Sequence, residues 1–575
     1  MNINIIRHSL AHILAYAVKE LYPEVKFGIG PAIENGFYYD FDFAEVNTNR
    51  IGEEDLQKIE EKMRELIKKN IKFEKKIISK EEAKQIFKDQ PYKLELIEEI
   101  QEKNVSIYQS GNFADLCKGP HIKSTKEIPV DAFKLTRIAG AYWKGDEKKP
   151  MLIRVYGIAF DNKNDLGSYL KKEEMAEKID HRNLGKKLDL FLSDEEVGAG
   201  LPLWLPKGEI LKEIIKNYLK TELLVKGYQF VGTPHIGKLE LWKTSGHWEL
   251  YRENIYSPID IEGEKFLLKP MNCPFHVKIY QSKIRSYKDL PVRLAEFGTV
   301  YRFERSGTLH GLTRVRGFTQ DDAHIWCTPD QLNTELTKLL KEGLKILKTF
   351  GFKDFNIYIS TRPEKFAGNE KGWKKAENSL RYVLKKMKLK YEIDPGGGVF
   401  YGPKIDIKIK DNLGREWQCT TIQVDFNLPD RFNIFFINEK GKKEKPYMIH
   451  RALIGSLERF IGVLIEQYEG AFPLWLSPEQ VWIIPVGSRH KKYANLINQQ
   501  LTTNNLRTKV KDENETVSKK IREGEIQKIP YLLVVGDKEM QKNSVRIRKR
   551  GKGDIGMLKL NKFLEKIKTD LTQNK

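Results

Sequence analysis

The segment 293–327 constrains the fold of this chain most, because two strand-like runs in it flank a loop rich in glycine and arginine. Residues 292–304 and 318–327 are predicted as the two strands of a hairpin. Four charged residues lie around its loop, namely Arg302, Glu304, Arg314 and Arg316. A guanidinium group can bind a phosphate through two parallel bonds, so arginines on facing strands indicate a nucleotide clamp. The alternative is an ordinary basic hairpin, which would be the preferred interpretation if only one or two arginines were present.

The 575 residues are too many for one core and predict about three or four domains. No apolar run approaches the roughly 20 residues of a membrane span, and no secretory signal is evident. Four scattered cysteines do not suggest a disulfide framework, so a cytoplasmic location is expected. The net charge of +21 favours a polyanionic partner, but AT-rich coding would also produce a chain rich in Lys, Ile and Asn.

Hydrophobic periodicity predicts helices and strands along the whole chain. The predicted helices are 3–22, 53–70, a polar stretch 164–181 that reads as a linker, 209–226, and one that starts near Ala452. The predicted strands outside the hairpin include 133–136, 151–156, 404–410 and 415–426. After Pro478, short strands and helices alternate and indicate a small α/β domain that ends in a basic strand at 545–550.

Two short motifs and their surroundings resemble a known enzyme family. Arg302-Phe303-Glu304 and Gly455-Ser456-Leu457-Glu458-Arg459 resemble motifs 2 and 3 of class II aminoacyl-tRNA synthetases, and the helix and strand before Pro234 resemble motif 1. The sequence GLTRVRGFTQDDAH resembles the corresponding segment of threonyl-tRNA synthetases, and the resemblance extends over essentially the whole chain. It implies a multidomain α+β fold: an antiparallel class II sheet, an α+β editing domain and an α/β anticodon-binding domain.

The resemblance assigns an ATP site to the predicted hairpin and to motif 3. It implies that Arg302 holds the α-phosphate, Arg459 the γ-phosphate, Glu304 the adenine edge and Phe318 its face. Arg314, Gln418 and Ser456 complete the expected ATP contacts. Mg²⁺ is expected with ATP, and positioned cations would stabilise the charge that develops in the reaction.

Cys273, His324 and His450 lie too far apart in the sequence for a zinc finger. Judged by this spacing alone, they are more often ordinary packed or surface residues than metal ligands. The resemblance makes them the ligands of one catalytic Zn²⁺ per chain. A metal that binds both the amino group and the hydroxyl of threonine would reject valine, since sites built for a hydroxyl discriminate by roughly 10⁴–10⁵. The resemblance also implies a set of threonine contacts: Gln320, Asp322, Tyr401 and Gln423.

Serine has the hydroxyl and lacks only a methyl group, worth about 1–3 kcal/mol, so a second hydrolytic site is expected. His8 and His12 on one helix face, with Cys117 and His121, have metal-ligand spacing, and the residues alone leave zinc and a polar hydrolytic cleft open. RHSLAH, NGFYYDFD, DLCKGPH and AGAYWKGD resemble the editing domain of threonyl- and alanyl-tRNA synthetases. Its threonyl branch implies a water-positioning site without a second metal. Three further editing residues are expected: Tyr39, Lys93 and Asp115.

The resemblance divides the chain into an editing domain 1–163, a linker helix 164–181, a catalytic domain 182–472 and an anticodon-binding domain 473–575. In the last domain, unstacked anticodon bases would meet four residues, each of which could instead be a solvated surface charge: Asn514, Arg522, Glu539 and Arg548. Bacterial members usually carry a small extra N-terminal domain. It is expected to be missing or to lie outside this chain.

The expected activity is ATP-dependent attachment of L-threonine to tRNA(Thr), with hydrolysis of mischarged seryl-tRNA(Thr), by a homodimer that does not bind membranes. Three alternatives remain. A synthetase-like protein without activity would be expected to lose Arg302, Arg459 or a zinc ligand. A hydrolase acting through residues 1–160 alone leaves motifs 2 and 3 unexplained. Alanyl or prolyl specificity is opposed by the Cys273, His324 and His450 set.

Overall fold

The computed structural model describes residues 2–44 and 51–573, and its contacts divide the chain into two compact units, Met1–Met175 and Ala176–Lys575. The predicted editing and anticodon-binding ranges each include a few residues outside the described ones. Within the described ranges, the helices are too short or too polar to cross a membrane.

The first unit packs helices against two antiparallel sheets. Its helices are α1 Ile3–Leu21, α2 Glu53–Lys68, α3 Lys80–Ile86, α4 Pro91–Glu99 and the start of α5 Lys163–Ile179, which continues into the second unit. Its strands are β1 Lys26–Phe27, β2 Ala32–Ile33, β3 Gly36–Asp42, β4 Phe73–Ser79, β5 Asn104–Ser110, β6 Phe113–Leu116, β7 Phe133–Tyr142 and β8 Met151–Ala159. The described strands run in the orders β1-β3-β8-β7, with β2 on β3, and β4-β5-β6.

Helix α1 forms the centre of this unit. Asn2 begins it, because its side chain accepts the backbone N–H of Asn4 and so satisfies one of the free N–H groups of the first turn. The helix is buried along most of its length, with Ile13 and Leu14 at 0% exposure. Its fixed position places the side chains of its first three turns against the loop that follows β6.

The second unit contains the larger core. Its helices are α6 His181–Lys187, α7 Pro206–Leu224, α8 Leu239–Ser245, α9 His247–Leu250, α10 Cys273–Gln281, α11 Leu332–Thr349, α12 Glu370–Lys386, α13 Leu428–Arg431, α14 Leu457–Gln467, α15 Lys491–Thr503, α16 Val517–Ile526, α17 Asp537–Gln541 and α18 Leu560–Gln573. Its strands as far as motif 3 are β9 Phe191–Leu192, β10 Leu203–Trp204, β11 Gln229–Phe230, β12 Ile236–Lys238, β13 Ile259–Ile261, β14 Glu264–Leu268, β15 Val292–Tyr301, β16 Gly317–Cys327, β17 Phe355–Ser360, β18 Glu392–Asp394, β19 Lys404–Lys410, β20 Glu416–Asp425, β21 Phe436–Ile437, β22 Lys443–Glu444 and β23 Tyr447–Ser456.

The main sheet runs in the order β11-β15-β16-β23-β20-β19-β17-β18 through the described residues, and it is antiparallel except at its two edges. β15 and β16 form the predicted hairpin. His324 on β16 lies opposite His450 on β23, which lies opposite Gln423 on β20. Because alternate residues of a strand share one face, this register brings distant parts of the chain to one side of the sheet. The predicted antiparallel sheet is confirmed.

One predicted helix boundary was wrong. The helix predicted to start near Ala452 begins at Leu457, because residues up to Ser456 belong to β23 and pair with both β16 and β20. The Ser456 side chain then accepts the backbone N–H of Arg459 and begins α14. Consecutive residues of β23 are buried on both of its faces, and a buried central strand of this kind resembles a helix in the sequence.

The C-terminal part is a small α/β domain whose described strands have the order β25-β24-β26-β27-β28. These strands are β24 Val481–Pro485, β25 Thr508–Val510, β26 Tyr531–Val535, β27 Ser544–Lys549 and β28 Gly553–Lys559. The prediction that this domain ends in the basic strand was wrong. β28 pairs with β27, and α18 follows it with Phe563 and Ile567 buried in the core.

Candidate functional sites

Three residues that are distant in the sequence meet in the core of the second unit. Cys273 begins α10, His324 lies in the middle of β16 and His450 in the middle of β23. One ligand atom from each lies within 4.8 Å of the others, and all three side chains are buried. The predicted metal-ligand set therefore comes together in the fold.

The chemistry of this cluster suits a divalent metal ion. Burial, with the neighbouring imidazoles of His450 and His276, holds the pKa of His324 well below its ordinary value, which leaves it as the neutral imidazole that metals bind. Burial raises the pKa of the Cys273 thiol, so a cation is needed to hold it as thiolate. His450 Nε2 lies 2.8 Å from Asp425 Oδ2. Because a carboxylate only accepts, the proton is on Nε2, and Nδ1 carries a lone pair.

A cavity of about 320 Å³ opens beside this cluster. Most of the residues that the sequence assigned to ATP and threonine line it, together with the three metal-ligand candidates: Arg302, Phe318, Gln320, Asp322, Tyr401, Gln418, Gln423, Ser456 and Arg459. Glu304 and Arg314 do not belong to this lining. They form an ion pair with each other, with 2.9 Å between Arg314 Nε and Glu304 Oε2, next to the turn between β15 and β16.

The two motif arginines are held by neutral partners. Arg302 Nε lies 3.4 Å from the Pro270 carbonyl oxygen, and its guanidinium lies 5.0 Å from the centre of the Phe318 ring. Arg459 Nε donates to the Thr313 carbonyl over 3.2 Å. Burial lowers the pKa of Arg459, which is a cation desolvated beside an open cavity. Both groups are therefore arranged to interact with an anion.

Asp321, which was not among the predicted site residues, binds two residues that line the cavity, Arg451 and Gly455. Its carboxylate accepts the backbone N–H groups of Leu453, Ile454 and Gly455 at 2.7, 3.1 and 2.9 Å. Arg451 Nη1 lies 3.3 Å away, while burial raises the pKa of Asp321 to about 7. The contacts span an irregularity in the β16–β23 register, so they fix how the neighbouring polar residues of β16 face the cavity.

The first unit contains a second cluster. His8 and His12 project from α1 toward Cys117 and His121, and one ligand atom of each lies within 4.8 Å of the others. Cys117 Sγ lies 3.4 Å from His8 Nε2 and 3.3 Å from His121 Nε2. Burial raises the pKa of Cys117 to about 11, so the group is a neutral thiol. The predicted editing residues of α1 and of the loop after β6 are thus neighbours.

The hydrogen bonds around this cluster determine where its imidazole protons lie. His8 Nδ1 lies 3.3 Å from the Pro120 carbonyl, which only accepts. Ser9 Oγ donates its single proton to the Ile5 carbonyl over 2.8 Å, so it is an acceptor for His121 Nδ1 at 3.0 Å. Both Nδ1 atoms therefore carry protons, and both Nε2 lone pairs face Cys117. Ser9 is a further residue that the sequence analysis missed.

The remaining predicted editing residues form a buried ionic group beside the imidazoles. Asp115 accepts from Lys93 Nζ at 2.5 Å and from the Tyr39 hydroxyl at 2.6 Å, while Lys93 Nζ also lies 3.0 Å from that hydroxyl. His12 Nε2 lies 3.7 Å from Asp115. Lys93 and Asp115 are each no more than 3% exposed, and a buried pair of this kind requires both partners.

The predicted anticodon residues have different surroundings. Asn514 and Arg522 are exposed. Arg548 Nη2 lies 3.5 Å from Glu525 of α16. Glu539 is nearly buried and accepts the Gly536 backbone N–H over 3.0 Å, so its carboxylate caps α17.

His181 and Glu466 form a further buried pair that sequence reasoning missed. His181 Nδ1 lies 2.6 Å from Glu466 Oε1, and its Nε2 accepts the Leu312 backbone N–H over 2.9 Å. Both ring nitrogens are therefore engaged. The pair joins α6 and α14 to the loop between β15 and β16. Because these positions are 131 and 285 residues apart, no local motif indicated the contact.

Comparison with known proteins assigns this combination of sites to one family. The tRNA synthetase class II core domain family matches residues 256–468, the anticodon-binding domain family 480–570, and the threonyl and alanyl tRNA synthetase second additional domain 105–156. The threonine–tRNA ligase of Sulfurihydrogenibium is 53% identical, with 100% of this chain and 89% of that protein aligned. The chain belongs to the threonine–tRNA ligase family. The predicted family is confirmed.

Other members agree with this placement. The threonine–tRNA ligase of Dehalococcoides mccartyi strain CBDB1 is 52% identical, over 100% of this chain and 98% of its own length. Among solved structures, one described as the RNA binding domain of threonyl-tRNA synthetase from Cryptosporidium parvum aligns with 68% of this chain and 98% of its own, with a TM-score of 0.66 and 40% identity. A putative threonyl-tRNA synthetase of Aeropyrum pernix aligns with 69% of this chain and 96% of its own, at 0.60 and 32%.

Proposed function

We propose that this member of the family activates L-threonine with ATP and Mg²⁺ and transfers it to tRNA(Thr). The proposal rests on the cavity of the second unit. Arg302 and Arg459 line this cavity together with Cys273, His324 and His450. Two cations beside a buried metal-ligand set suit a nucleotide and a small amino acid bound next to each other.

In this site, the threonine carboxylate attacks the α-phosphorus of ATP, and pyrophosphate leaves. Arg302 binds the α-phosphate and Arg459 the γ-phosphate, while Phe318 and Glu304 contact the adenine. Arg314, Gln418 and Ser456 complete the ATP site, and Mg²⁺ accompanies the triphosphate. Because no covalent intermediate with the protein is needed, positioning and charge stabilisation provide the acceleration.

Cys273, His324 and His450 would hold one Zn²⁺ per chain. A zinc ion held there would engage the amino group and the hydroxyl of threonine and so discriminate against valine. Gln320, Asp322, Tyr401 and Gln423 provide the polar contacts around the amino acid. Two hydrogen bonds already order this set: Tyr401 donates to Gln423 Oε1 over 2.6 Å, and Asn272 donates to Asp322 Oδ2 over 3.1 Å.

The cluster of the first unit hydrolyses seryl-tRNA(Thr). The Nε2 lone pairs of His8 and His121 accept protons from water or from the substrate, and the Cys117 thiol completes that wall of the site. Lys93, with Tyr39 and Asp115, binds the polar end of the ester and the ribose, and His12 supports Asp115. No second metal is needed for this chemistry.

The predicted ranges 1–163, 164–181, 182–472 and 473–575 are proposed as the editing domain, linker helix, catalytic domain and anticodon-binding domain. Asn514, Arg522, Glu539 and Arg548 are proposed to contact the anticodon, with Glu539 acting mainly through α17. A cytoplasmic homodimer is the proposed form of the protein.

Amino-acid-dependent ATP–pyrophosphate exchange tests the proposal, with threonine, serine, valine, alanine and proline, before and after zinc removal. Exchange with threonine, weaker exchange with serine and almost none with valine, all lost with the metal, is the expected result. Exchange that prefers alanine or proline, or none with any amino acid in zinc-loaded protein, would contradict it.

A further inference from the structure

His276 lies behind the metal-ligand candidates and was not among the predicted site residues. It is 0% exposed, on the first turn of α10, three residues after Cys273. Its Nδ1 lies 2.8 Å from His324 Nδ1, and its Nε2 lies 3.1 Å from Glu296 Oε2. The side chain therefore bridges one metal-ligand candidate and a buried carboxylate on β15.

Glu296 is held as a pure acceptor. Its Oε1 accepts the Thr233 backbone N–H over 2.7 Å, and the Thr233 hydroxyl lies about as close to both oxygens, at 3.1 and 3.0 Å. The ammonium group of buried Lys269 lies 3.8 Å from Oε1. The groups around the Glu296 carboxylate are hydrogen-bond donors. The carboxylate is therefore an acceptor, and it accepts from His276 as well.

The direction of each hydrogen bond follows from that carboxylate. When the ring carries one proton, His276 Nε2 donates it to Glu296, and the lone pair of the ring lies on Nδ1. His324 Nδ1 then donates to His276 Nδ1, and the His324 lone pair lies on Nε2. That atom lies 3.0 Å from His450 Nδ1, which carries a lone pair because Asp425 fixes the His450 proton on Nε2.

Two imidazole lone pairs that converge in a buried space repel each other unless a cation lies between them. Only this pair of tautomers presents both nitrogens to one ion. His450 is set directly by its own carboxylate, whereas His324 is set through an intervening imidazole. Outer carboxylates of this kind orient metal-bound histidines and raise their basicity.

We propose that Glu296 and His276 are positioning residues that fix the tautomer of His324 and thereby create the zinc affinity of the site. This inference rests on the proposed zinc-dependent function and adds the residues that prepare one ligand. The bland alternative is that His276 only fills space, since its ring packs edge-on against His324 with 4.7 Å between ring centres.

The isosteric change Glu296→Gln separates the two readings. The side-chain oxygen of glutamine must stay with the Thr233 N–H, so its NH₂ group faces His276 and donates to Nε2. The proton of His276 then moves to Nδ1, His324 Nδ1 becomes the acceptor, and its own proton moves to Nε2, the metal-facing atom. The size of the side chain at position 296 is unchanged, but the hydrogen bonds from it to His276 and from His276 to His324 reverse their direction.

Zinc affinity is measured by competition with a chelator, and the visible absorption of the cobalt(II)-substituted protein reports the ligand set. Glu296→Gln is expected to weaken zinc binding by about 10–100-fold and to alter the cobalt spectrum. His276→Leu should do the same, whereas His276→Gln, which keeps one acceptor and one donor, should retain more affinity than His276→Leu. Unchanged zinc affinity and cobalt spectrum in Glu296→Gln would overturn the proposal.

Glu335→Gln is the matched control. Glu335 is a buried glutamate of α11 that pairs with Arg293 at 2.7 Å, outside the metal cluster. Its substitution should lower the melting temperature without changing zinc affinity. If the wild-type protein binds zinc but threonine exchange does not depend on it, the proposed function fails, whereas the proposed role of Glu296 and His276 stands. If the wild-type protein binds no zinc, both fail.

Discussion

At the scale of single residues, both sites depend on acceptors that fix the protons of histidines. Asp425 does this for His450, and the Pro120 carbonyl does so for His8. Ser9 does so for His121 only because its own proton is committed to the Ile5 carbonyl. Each imidazole thereby presents a lone pair to its site, which is the form needed either to bind a metal or to accept a proton.

Ser9→Ala should slow seryl-tRNA hydrolysis without changing threonine activation. The change removes the acceptor of His121 Nδ1, and one such hydrogen bond corresponds to about tenfold in rate. The measurement is single-turnover deacylation of seryl-tRNA(Thr), with threonine-dependent exchange measured in parallel. Ser79→Ala, which removes an exposed helix cap in the same unit, is the control for stability. Full hydrolysis in Ser9→Ala would show that Ser9 does not position His121.

The buried histidines also predict how stability depends on pH. Burial lowers the pKa of His121, and burial with neighbouring cationic groups lowers the pKa of His247 to about 3, so both are neutral in the folded chain. In the unfolded chain they take up protons below about pH 6.5. Their neutral form thus contributes stability above that pH, and the contribution is lost as pH falls below it.

The melting temperature of the metal-free protein should therefore be lower at pH 5 than at pH 7.5. Differential scanning calorimetry at constant ionic strength measures it. A higher melting temperature at pH 5 would mean that these histidines gain protons on folding, contrary to the structure. Substituting His247 with Gln should reduce the pH dependence.

At the scale of secondary structure, most of the helices and strands that the sequence predicted lie within a few residues of observed ones. Periodicity sufficed for α2, which has one buried face, and for α1, which is buried along most of its length and ends just before Pro23. It failed at Ala452, where a central strand is apolar on both faces, and beyond Lys549, where β28 is largely exposed. The metal-ligand candidates were predicted through family likeness. Glu296 and Asp321 could not be found, because only the sheet register brings them to the site. His276 lies on α10, and only its contacts with His324 and Glu296 reveal its position behind the cluster.

The loop between β15 and β16 is held by other elements rather than by its own sequence. His181 of α6 accepts the Leu312 N–H, and Arg459 of α14 donates to the Thr313 carbonyl. Gly311 has a φ of +47°, and a Cβ there would lie 2.1 Å from His181 Nε2, so this position has room only for glycine. The loop of the proposed ATP site therefore depends on α6, which lies far from it in the sequence.

His181→Phe should raise the KM for ATP by about tenfold, because it removes one buried hydrogen bond of the loop. The KM for threonine should change less, since His324 and His450 are held by other residues. ATP and threonine titrations of the exchange reaction separate the two constants. Equal increases in both would indicate general damage to the domain, and an unchanged KM for ATP would mean that His181 does not hold the loop.

At the scale of the whole molecule, two chemically different selections are combined in one chain. The cavity of the second unit is proposed to bind amino acids that have a side-chain hydroxyl. The cluster of the first unit is proposed to hydrolyse the tRNA ester of the smaller of these, serine. The residues of each cluster belong to one unit, so each activity should be disabled independently. Variants of Lys93 should affect only hydrolysis, and variants of Cys273 only activation.

The most direct test of this account is the charging of tRNA(Thr) with serine and with threonine by the wild-type protein and by His121→Ala. The account predicts that the wild type accumulates threonyl-tRNA alone, whereas His121→Ala forms threonyl-tRNA at an unchanged rate and also accumulates seryl-tRNA. Stable seryl-tRNA from the wild type, or equal loss of both products in the variant, would contradict the separation of activation and hydrolysis.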